Sequence, residues 1–410
     1  MIRGMREWDD EIPDRDLHLV PRLRDETFLC FSWSEWDPSP EPWREILRRL
    51  AFRNRVVVVP PPLERTEVFG SRYALNGHRR GTDHREDHLT VYRFPRFLPR
   101  LYKPGPVAAA LHSLRIRSLA RVLRRLDGKP PVLYLLHPRF REYIGRLDEK
   151  VALYHVLDEY AGYPGADKTH LQEEEDSLLD SVDTVVCASQ ELQMTKAGPC
   201  REVQFLPNGV DFGLLSRAAT HPLPTPEELD EISPPRAGFI GKISDELDFR
   251  LLRDLALLLP RFSFCFIGPV LVISKANREL CEEWTSLPNV HLIGTKRTFD
   301  LPPYVRALDV LLLPYTNSVE GRKRYPVQLQ PYFATGKPVV SVPLPAVEEY
   351  GDLLHVSSTP EGWADGIHRA LDEEEGRRRG RIAVARRHRW ERIVLHFERI
   401  VTEALRSRSA

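Results

Sequence analysis

Three apolar runs in the second half of the chain end in a glycine, and cations follow two of these glycines. The positions are Gly241 with Lys242 after it, Gly268, and Gly294 with Thr295, Lys296 and Arg297 after it. A glycine turn that leads into a helix offers unpaired backbone N–H groups at the positive end of the helix dipole, which suits a phosphate. A lysine there adds a mobile positive charge. Each glycine alone would serve any tight turn, but the three together predict a diphosphate site.

A second contribution to the same site is expected from the basic stretch that begins near residue 320. Arg322, Lys323 and Arg324 precede a short helical segment that contains Gln328 and stops at Gly336. Guanidinium and ammonium groups pair readily with phosphate oxygens. We therefore include Arg322, Lys323 and Gln328 among the predicted donor-site residues.

In the first half of the chain, the candidate for acid–base chemistry is Asp158, just past the apolar run Val151–Val156. Glu159 and His155 are adjacent alternatives. Because side chains alternate along a strand, Asp158 and Glu159 would face opposite ways if the strand continued. The structural alternative is that Asp158 only caps the segment that begins near Ala161.

His137 ends another apolar run, in the sequence LLHPRF. Histidine can exchange a proton near neutral pH, and a lone histidine can equally serve packing alone. The predicted catalytic candidates are thus Asp158, Glu159 and His137.

The elements that must position these residues are short, continuous apolar runs bounded by turn residues. Continuous apolarity is typical of parallel strands covered on both faces. Segments of helical period such as Glu41–Phe52 lie between many of the runs, and spacings of about 20 to 30 residues are those of βα units. The sequence therefore predicts an α/β protein. The runs are Phe28–Phe31, Val56–Val59, Val132–Leu136, Val151–Val156, Thr184–Ala188, Ala237–Ile240, Phe262–Ile267, Val290–Ile293, Val310–Leu313 and Pro338–Val342.

A stretch rich in proline and acidic residues, 209–235, divides these runs into two sets. We interpret it as a linker between two Rossmann-like domains whose parallel sheets face a central cleft. The expected boundaries are an irregular extension over 1–25, domains over 26–208 and 236–385, and a C-terminal helix over 386–410. Ligands of open parallel sheets bind beyond the carboxyl ends of the strands, so the strand-end residues should line that cleft.

Composition excludes several classes of protein. The 410 residues are 42% hydrophobic, and 59 basic residues balance 59 acidic ones, so overall charge predicts no nucleic-acid partner. The five cysteines form no metal-binding spacing, and neither a nucleophile elbow nor a P-loop occurs, so no metal ion or other cofactor is expected. Scattered cysteines, with no apolar leader and no spanning segment, predict a cytoplasmic protein.

Several stretches resemble retaining glycosyltransferases of the GT-B fold, close to family 4. FATGKPVVSVPLPAVEEYG is similar to the family's A-x-G-K-P-V-V segment, and NVHLIGTKRTFDLPPYVRALDVLLLPY to the stretch before it. LPNGVDF resembles the domain junction, and FIGKISDELDFRLLRDLALLLPRFSFCFIGPV the start of the second domain. ALYHVLDEYAGY and DSLLDSVDTVVCASQEL are similar to strand segments of polysaccharide-type members. The resemblance covers roughly residues 26–401 in the family's order.

This resemblance implies transfer of a sugar from a nucleotide-diphosphate sugar, with UDP as the expected nucleotide, to a hydroxyl acceptor. The acceptor would be a sugar, a lipid-linked sugar or a small molecule. The second domain would bind the donor and the first the acceptor, near Asp158. The family retains the anomeric configuration and stabilises the leaving diphosphate with helix dipoles and Lys or Arg side chains instead of a metal ion. Asp158 would orient or assist the acceptor, or act as general base in an inverting variant.

One departure from the family pattern concerns the donor ribose. The family usually holds it with a glutamate five residues before the glycine of G-K-P; that position is Pro331 here, and no Asp or Glu occurs between Glu320 and Glu348. A carboxylate that accepts hydrogen bonds from two ribose hydroxyls contributes on the order of 1.5–3 kcal/mol to donor binding. Its absence would weaken donor binding by this amount, unless Gln328 or Gln330 substitutes for it. Three explanations stay open: the enzyme uses a different donor, the sequence is shifted locally against the family pattern, or the donor site has lost its function.

Two other functions therefore stay open. A catalytically inactive glycosyltransferase-like subunit would bind a sugar nucleotide or a partner enzyme and transfer nothing. A nucleotide-sugar epimerase of the same shape would invert or hydrolyse the donor without an acceptor, although residues 321–347 offer it no carboxylate.

Residues 93–129 carry ten Lys or Arg residues and a single acidic one, Asp127. Leucines and isoleucine at helical spacing give this stretch an apolar side. One interpretation is peripheral contact with an anionic membrane surface or a lipid-diphosphate acceptor. The other is a solvated arginine-rich face, partly paired with acids such as those of Glu173–Asp176.

Overall fold

The computed structural model describes residues 20, 22–36, 41–62, 81–86, 88–101, 105–162, 167–198, 203–317 and 325–409. The chain forms two compact units: the first comprises residues 1–206 and 393–410, the second residues 207–392. Each unit is built on a sheet whose strands are mostly or entirely parallel. The predicted α/β fold of two Rossmann-like units is confirmed.

The first unit contains an eight-stranded sheet. Its strands are β1 (Thr27–Phe31), β2 (Arg55–Val59), β3 (Gly81–Glu86), β4 (Leu89–Arg93), β5 (Val132–Leu135), β6 (Val151–Val156), β7 (Thr184–Cys187) and β8 (Val203–Phe205). Their order across the sheet is β3-β4-β2-β1-β5-β6-β7-β8. Neighbouring strands run parallel except β3 and β4, which form an antiparallel pair.

Four helices of the first unit connect these strands. They are α1 (Pro42–Leu50), α2 (Pro106–Leu126), α3 (Lys168–Leu179) and α4 (Gln190–Lys196). Two 3₁₀ turns, Pro138–Tyr143 and Tyr160–Gly162, follow the carboxyl ends of β5 and β6.

The second unit begins with three short helices, α5 (Phe212–Leu215), α6 (Arg217–Thr220) and α7 (Glu227–Asp230). Its strands are β9 (Arg236–Ile240), β10 (Ile243–Ser244), β11 (Ser263–Ile267), β12 (Val270–Leu271), β13 (Val290–Leu292), β14 (Val310–Leu313), β15 (Val339–Ser341) and β16 (His355–Val356). Six of them form a parallel sheet in the order β13-β11-β9-β14-β15-β16, and β10 pairs with β12 in a separate ribbon.

The remaining helices follow in chain order. They are α8 (Phe249–Leu258), α9 (Lys275–Thr285), α10 (Leu301–Ala307), α11 (Leu329–Thr335), α12 (Pro345–Glu348), α13 (Pro360–Leu371), α14 (Glu375–Arg387) and α15 (Trp390–Ser409), with 3₁₀ turns at Thr298–Asp300 and Gly351–Leu353. The residues of α15 from Ile393 onward belong to the first unit.

Each apolar run that the sequence singles out lies on a strand, and most of these strands are covered on both faces of a sheet; the edge strand β13 is an exception, since Leu292 is exposed. Every residue of β1, β6, β11 and β14 is buried. The strands that the sequence did not indicate lack such a run. β3 reads GTDHRE, with no apolar side chain, and a polar residue interrupts β4 (LTVYR) and β8 (VQF). β10, β12 and β16 have two residues each.

The stretch 209–235, interpreted from the sequence as a linker, is part of the second unit. The side chain of Leu229 is fully buried. The guanidinium of Arg236 donates to the carbonyls of Leu229 at 2.9 Å and Ile232 at 2.8 Å. These contacts fix the segment against the six-stranded sheet, which a pattern of prolines and acids does not reveal.

The C-terminal helix likewise differs from its expected boundary, since α15 begins at Trp390 rather than at 386. No helix in the described ranges is both long enough and apolar enough to cross a membrane.

Candidate functional site

The predicted glycines come together at one edge of the six-stranded sheet. Because all six strands are parallel, their carboxyl ends share that edge. Gly294 follows β13, Gly268 follows β11 and Gly241 follows β9, and these three strands are neighbours. The edge therefore collects chain segments that lie far apart in sequence.

Gly241 and Gly268 are in direct backbone contact. The N–H of Gly241 donates to the carbonyl of Ile267 at 2.9 Å. A side chain at position 268 would overlap the Gly241 carbonyl oxygen, and its Cβ would lie 2.8 Å from the carbonyl carbon. Glycine at 268 is thus required by the close approach of two backbones and not by a turn alone.

Gln328 lies directly over Gly241. A Cβ at position 241 would overlap the Gln328 Nε2 atom and would lie 2.9 Å from Cζ of Phe239. The Tyr315 hydroxyl donates to Oε1 of Gln328. This hydrogen bond orients the amide so that its NH₂ group, a donor, is the end that faces Gly241.

Tyr332, one helical turn after Gln328, ties α11 to the same strand end. Its hydroxyl accepts a hydrogen bond from the backbone N–H of Ile240 at 2.8 Å. Burial raises the pKa of Tyr332 well above its usual range, so the hydroxyl stays protonated. Gln330, by contrast, is 1% exposed and donates to the Tyr325 hydroxyl at 2.7 Å, so it points into the unit. Only Gln328, of the two glutamines, is at the glycine edge.

The turn at Gly241 leads through β10 into the helix that the sequence predicts, α8, which begins at Phe249. The carboxylate of Asp248 accepts from the Leu251 N–H at 3.0 Å and so already caps that helix. The predicted free helix N-terminus is therefore occupied by an acidic side chain, and the glycine edge must rely on other groups.

Asp245 holds this loop in place. Its carboxylate accepts from the backbone N–H of Ile273 at 2.8 Å, the N–H of Ser274 at 3.1 Å and Nδ2 of Asn277 at 3.0 Å. The β10–β12 ribbon is thereby fixed to the start of α9. No sequence pattern pointed to Asp245.

The predicted cations at the edge differ in their contacts. Lys242 is exposed, and within the described ranges no carboxylate forms an ion pair with it. Lys296 instead pairs with Glu228 at 2.5 Å and lies 5.3 Å over the Tyr304 ring. Hydrogen bonds from Lys296 and Tyr304 lower the pKa of Glu228 to about 2.

Arg297 is exposed and pairs with Asp300 at 2.7 Å. Gly294, with a φ of 78°, and Thr295 are both exposed. Arg322 and Lys323, the other predicted cations, lie outside the described residues. Of the predicted site cations that the structure describes, Lys242 is thus the one that pairs with no carboxylate.

In the first unit, Asp158 and Glu159 follow β6 and have different surroundings. Oδ1 of Asp158 accepts from the Glu159 N–H at 2.9 Å, and the side chain is half-buried. Glu159 is buried and accepts from Lys196 at 3.1 and 3.3 Å. Lys196 also donates to Glu175 at 2.7 Å. Glu159 is therefore held in an internal ion cluster, and Asp158 is the more accessible carboxylate.

His137 and His155 are both buried and neutral. Burial, with Arg139 and Arg100 nearby, lowers the pKa of His137 to about 3, and burial lowers that of His155 to about 3. Nδ1 of His137 accepts from the Arg139 N–H at 3.3 Å and so caps a 3₁₀ turn. Nδ1 of His155 is 2.5 Å from the Tyr134 hydroxyl. These contacts account for both histidines structurally.

Among the described residues, no group of three or more His, Cys, Asp or Glu side chains is arranged to hold a metal ion. A surface groove does occur in the second unit, away from the glycine edge. It is formed by β16, the end of α13 and the start of α14, and none of the predicted residues lines it.

Two site residues that the sequence did not indicate, Tyr315 and Tyr332, could have been found. Tyr315 follows β14 two residues after it ends, in LLLPY, so the carboxyl-end rule applies to it as it does to the glycines. Tyr332 lies four residues after Gln328, which places it on the same helix face.

Residues 234–373 match the family model of glycosyl transferases group 1. A stretch of 177 residues is 28% identical to the "Putative teichuronic acid biosynthesis glycosyltransferase TuaH" of Bacillus subtilis (strain 168). That stretch is 42% of this chain and 43% of the relative, so less than half of the relative's length is matched.

Solved structures of similar fold cover nearly the whole chain. Anabaena Alr3699/HepE, in complex with UDP and glucose, has a TM-score of 0.65 and 15% identity over 92% of this chain and 99% of its own. Sucrose-phosphate synthase from Thermosynechococcus elongatus has a TM-score of 0.66 and 13% identity over 93% of this chain and 100% of its own. At these identities the likeness concerns the fold, which is GT-B.

Proposed function

We propose that this chain, which has the GT-B fold and a glycosyl transferases group 1 domain over residues 234–373, transfers a sugar from a nucleotide-diphosphate sugar to a hydroxyl acceptor. UDP is the nucleotide we expect, since UDP is bound in Anabaena Alr3699/HepE. The observation that carries the proposal is the arrangement at the glycine edge, where Gln328 and Lys242 flank two touching backbones.

The donor diphosphate would lie at this edge of the second unit. Glycine at 241 lets the Gln328 amide lie against the main chain, and glycine at 268 lets the two strand ends meet, so the donor groups of this edge lie close together. Lys242 would supply a positive charge, and the NH₂ group of Gln328, oriented by Tyr315, a neutral hydrogen-bond donor. Such preorganised donors stabilise charge that develops on a leaving diphosphate without a metal ion, and we propose metal independence on this basis.

The acceptor hydroxyl would be bound by the first unit near Asp158. Glu159 is buried and held by Lys196, so we propose that the more accessible carboxylate, Asp158, orients or assists that hydroxyl. We propose that the anomeric configuration is retained, as the sequence resemblance implies.

A second candidate is a subunit that binds a sugar nucleotide or a partner enzyme without transferring sugar. The observation that favours it is the surroundings of Pro331 in α11. No carboxylate stands there, and Gln330 is turned inward to Tyr325, so it does not substitute for one at the edge.

We also propose a cytoplasmic location. Four cysteines, Cys30, Cys187, Cys265 and Cys281, are buried and free in the described part of the chain. Buried free thiols in this number fit a reducing compartment.

The experiment that tests the proposed function has two stages. Calorimetric titration of the full chain with UDP, GDP, ADP and dTDP, each with and without Mg²⁺, identifies the nucleotide. Turnover is then assayed with the corresponding nucleotide sugars and a panel of hydroxyl acceptors, with analysis of the product's anomeric configuration. Binding that does not need Mg²⁺, followed by transfer, is expected. Binding without transfer would favour the inactive subunit. No binding of any nucleotide would contradict the proposed transferase and leave a subunit that binds a partner enzyme.

A further inference from the structure

The helix α2 is unusually exposed for its length. It runs for 21 residues from Pro106 to Leu126 and contains no acidic residue. Only Arg115, Leu119 and Leu123 are buried. Ile116, Val122 and Leu126 are partly buried and pack against the same core, so one side of the helix serves packing and the opposite side faces solvent.

The outward side of α2 changes in character along the helix. Residues at alternating spacings of three and four share one face, and on this face apolar side chains occupy the first turns and arginines the last. Val107 is 65% exposed and Leu114 is 44% exposed. The residues of this face are Val107, Ala110, Leu114, Arg117, Arg121, Arg124 and Arg125, all of them exposed.

The four arginines of this face have no acidic partners in the described part of the chain. Three of the expected acids of Glu173–Asp176 contact other residues. Glu174 is 3.8 Å from Arg100, Glu175 bonds Lys196 at 2.7 Å, and Asp176 accepts from Gln172 at 3.0 Å. Another nearby acid, Glu142, lies 3.6 Å from the buried Arg115. The outward guanidiniums are therefore available to an external anion.

The inward side of α2 anchors the helix firmly to the unit. Arg115 donates to the Pro99 carbonyl at 2.7 Å and to the Tyr143 hydroxyl at 3.2 Å. Ser118 lies 2.6 Å from the Tyr92 hydroxyl. The loop that contains Pro99 also carries Phe97, which is 76% exposed. The outward face is thus presented by a helix that is already folded.

We infer that this outward face, the α2 surface, docks on an anionic lipid bilayer. Four solvated guanidiniums match lipid phosphates, and exposed Val107 and Leu114 fit the boundary between headgroups and acyl chains. Duplex nucleic acid would use the arginines but leave these apolar side chains without a partner. With its arginines, α2 would lie in the plane of the surface, along about 30 Å, and not cross it. The docking does not depend on the proposed transfer reaction.

The test is sedimentation of the full chain with vesicles of phosphatidylcholine, either pure or with about 30% phosphatidylglycerol. Binding is expected for the anionic vesicles and not for the neutral ones. Each surface arginine should contribute roughly fivefold, so the variant with Gln at 117, 121, 124 and 125 should lose at least about 100-fold in partition coefficient. Gln keeps a high helix propensity, and circular dichroism should show α2 intact.

The matched control replaces four exposed arginines of the second unit, Arg250, Arg261, Arg369 and Arg379, by Gln. It removes the same charge and should change binding by less than about threefold. If both variants lose vesicle binding equally, net charge alone explains the binding, and the assignment of the α2 surface is overturned.

The apolar part of the surface needs its own variant. Leu114→Gln should weaken vesicle binding by roughly tenfold, whereas Leu257→Gln, on an exposed leucine of α8, should not. Binding of a DNA duplex at equal salt that is tighter than vesicle binding would overturn the proposal in favour of a nucleic-acid surface. UDP titration of each variant serves as a separate check of the donor site. UDP affinity should be unchanged in all variants, because none of the substitutions touches the glycine edge.

Discussion

The hydroxyl of Tyr332, a residue within helix α11, accepts a hydrogen bond from the backbone N–H of Ile240 at 2.8 Å. Ile240 is the last residue of β9, so this N–H lies where the strand's regular pairing ends. Tyr332 is 2% exposed, and water cannot easily replace its hydroxyl. One side chain thus joins α11, which carries Gln328, to the strand that carries Gly241.

Tyr332→Phe should therefore destabilise the second unit by about 1–2 kcal/mol, because it removes a buried hydroxyl that is the hydrogen-bond partner of the Ile240 N–H. Urea denaturation monitored by tryptophan fluorescence measures this. Tyr304→Phe removes a hydroxyl that contacts the exposed carboxylate of Glu228 and should cost less. Equal losses in the two variants would show that the buried hydrogen bond has no special weight.

Gly268→Ala should be strongly destabilising, by about 3 kcal/mol or more, since its Cβ would overlap the main chain of Gly241. Gly376→Ala is the matched control: it lies in α14 with open space around it, and Ala should be neutral or stabilise by up to about 1 kcal/mol. Thermal unfolding of both variants decides the point. A tolerated alanine at 268 would contradict the contact between the two backbones.

Lys242→Met should weaken UDP binding at least tenfold, as expected for loss of a charged phosphate contact. Lys275→Met removes a lysine that is also exposed, at the start of α9, and should leave the affinity unchanged. Calorimetric titration of both proteins gives the comparison. Unchanged affinity in Lys242→Met would place the diphosphate elsewhere.

Asp158→Asn should lower turnover, whereas Glu159→Gln should lower stability. The first should lower turnover by 10²-fold or so with little change in UDP affinity or stability, as for loss of a group that assists the acceptor. The second removes one partner of the buried Lys196 and should cost about 1–3 kcal/mol of stability. If Asp158→Asn instead lowers the stability of the protein, and the folded fraction has normal turnover, Asp158 only caps the segment that follows it.

Acid should destabilise the first unit through its buried histidines. The unfolded chain takes up a proton near pH 6.5, whereas burial lowers the native pKa of His137 and His155 to about 3. The stability that neutral histidine supplies is complete above pH 6.5 and is lost as the pH falls toward 3. Each histidine should contribute about 1 kcal/mol per pH unit in that window.

Urea denaturation between about pH 7.5 and pH 4.5 measures this slope. His155→Gln should flatten it, and His221→Gln, on an exposed histidine, should not. A slope unchanged by His155→Gln would mean that this ring is protonated in the native state.

Continuous apolar runs predicted the strands of both sheets because burial on two faces leaves a simple pattern. Val151–Val156 and Val310–Leu313 match β6 and β14 at both ends. The parallel sheet then placed Gly241, Gly268 and Gly294 at one edge. Polar contacts between distant segments left no such pattern. Lys296 reaches Glu228, 68 positions away, and Asp245 takes donors from 28 to 32 positions away, so neither could be inferred from spacing.

The last helix has a consequence for how the chain folds during synthesis. Ile393, Val394 and Phe397 of α15 are fully buried, and the Phe397 ring lies 5.2 Å from Tyr134 and 6.5 Å from Phe28. These residues complete the core of the first unit, although its other residues end at 206. On the ribosome, the second unit can therefore finish first. The first unit must wait with an uncovered apolar sheet face until the final helix emerges, and it is the part of the chain most in need of protection from aggregation.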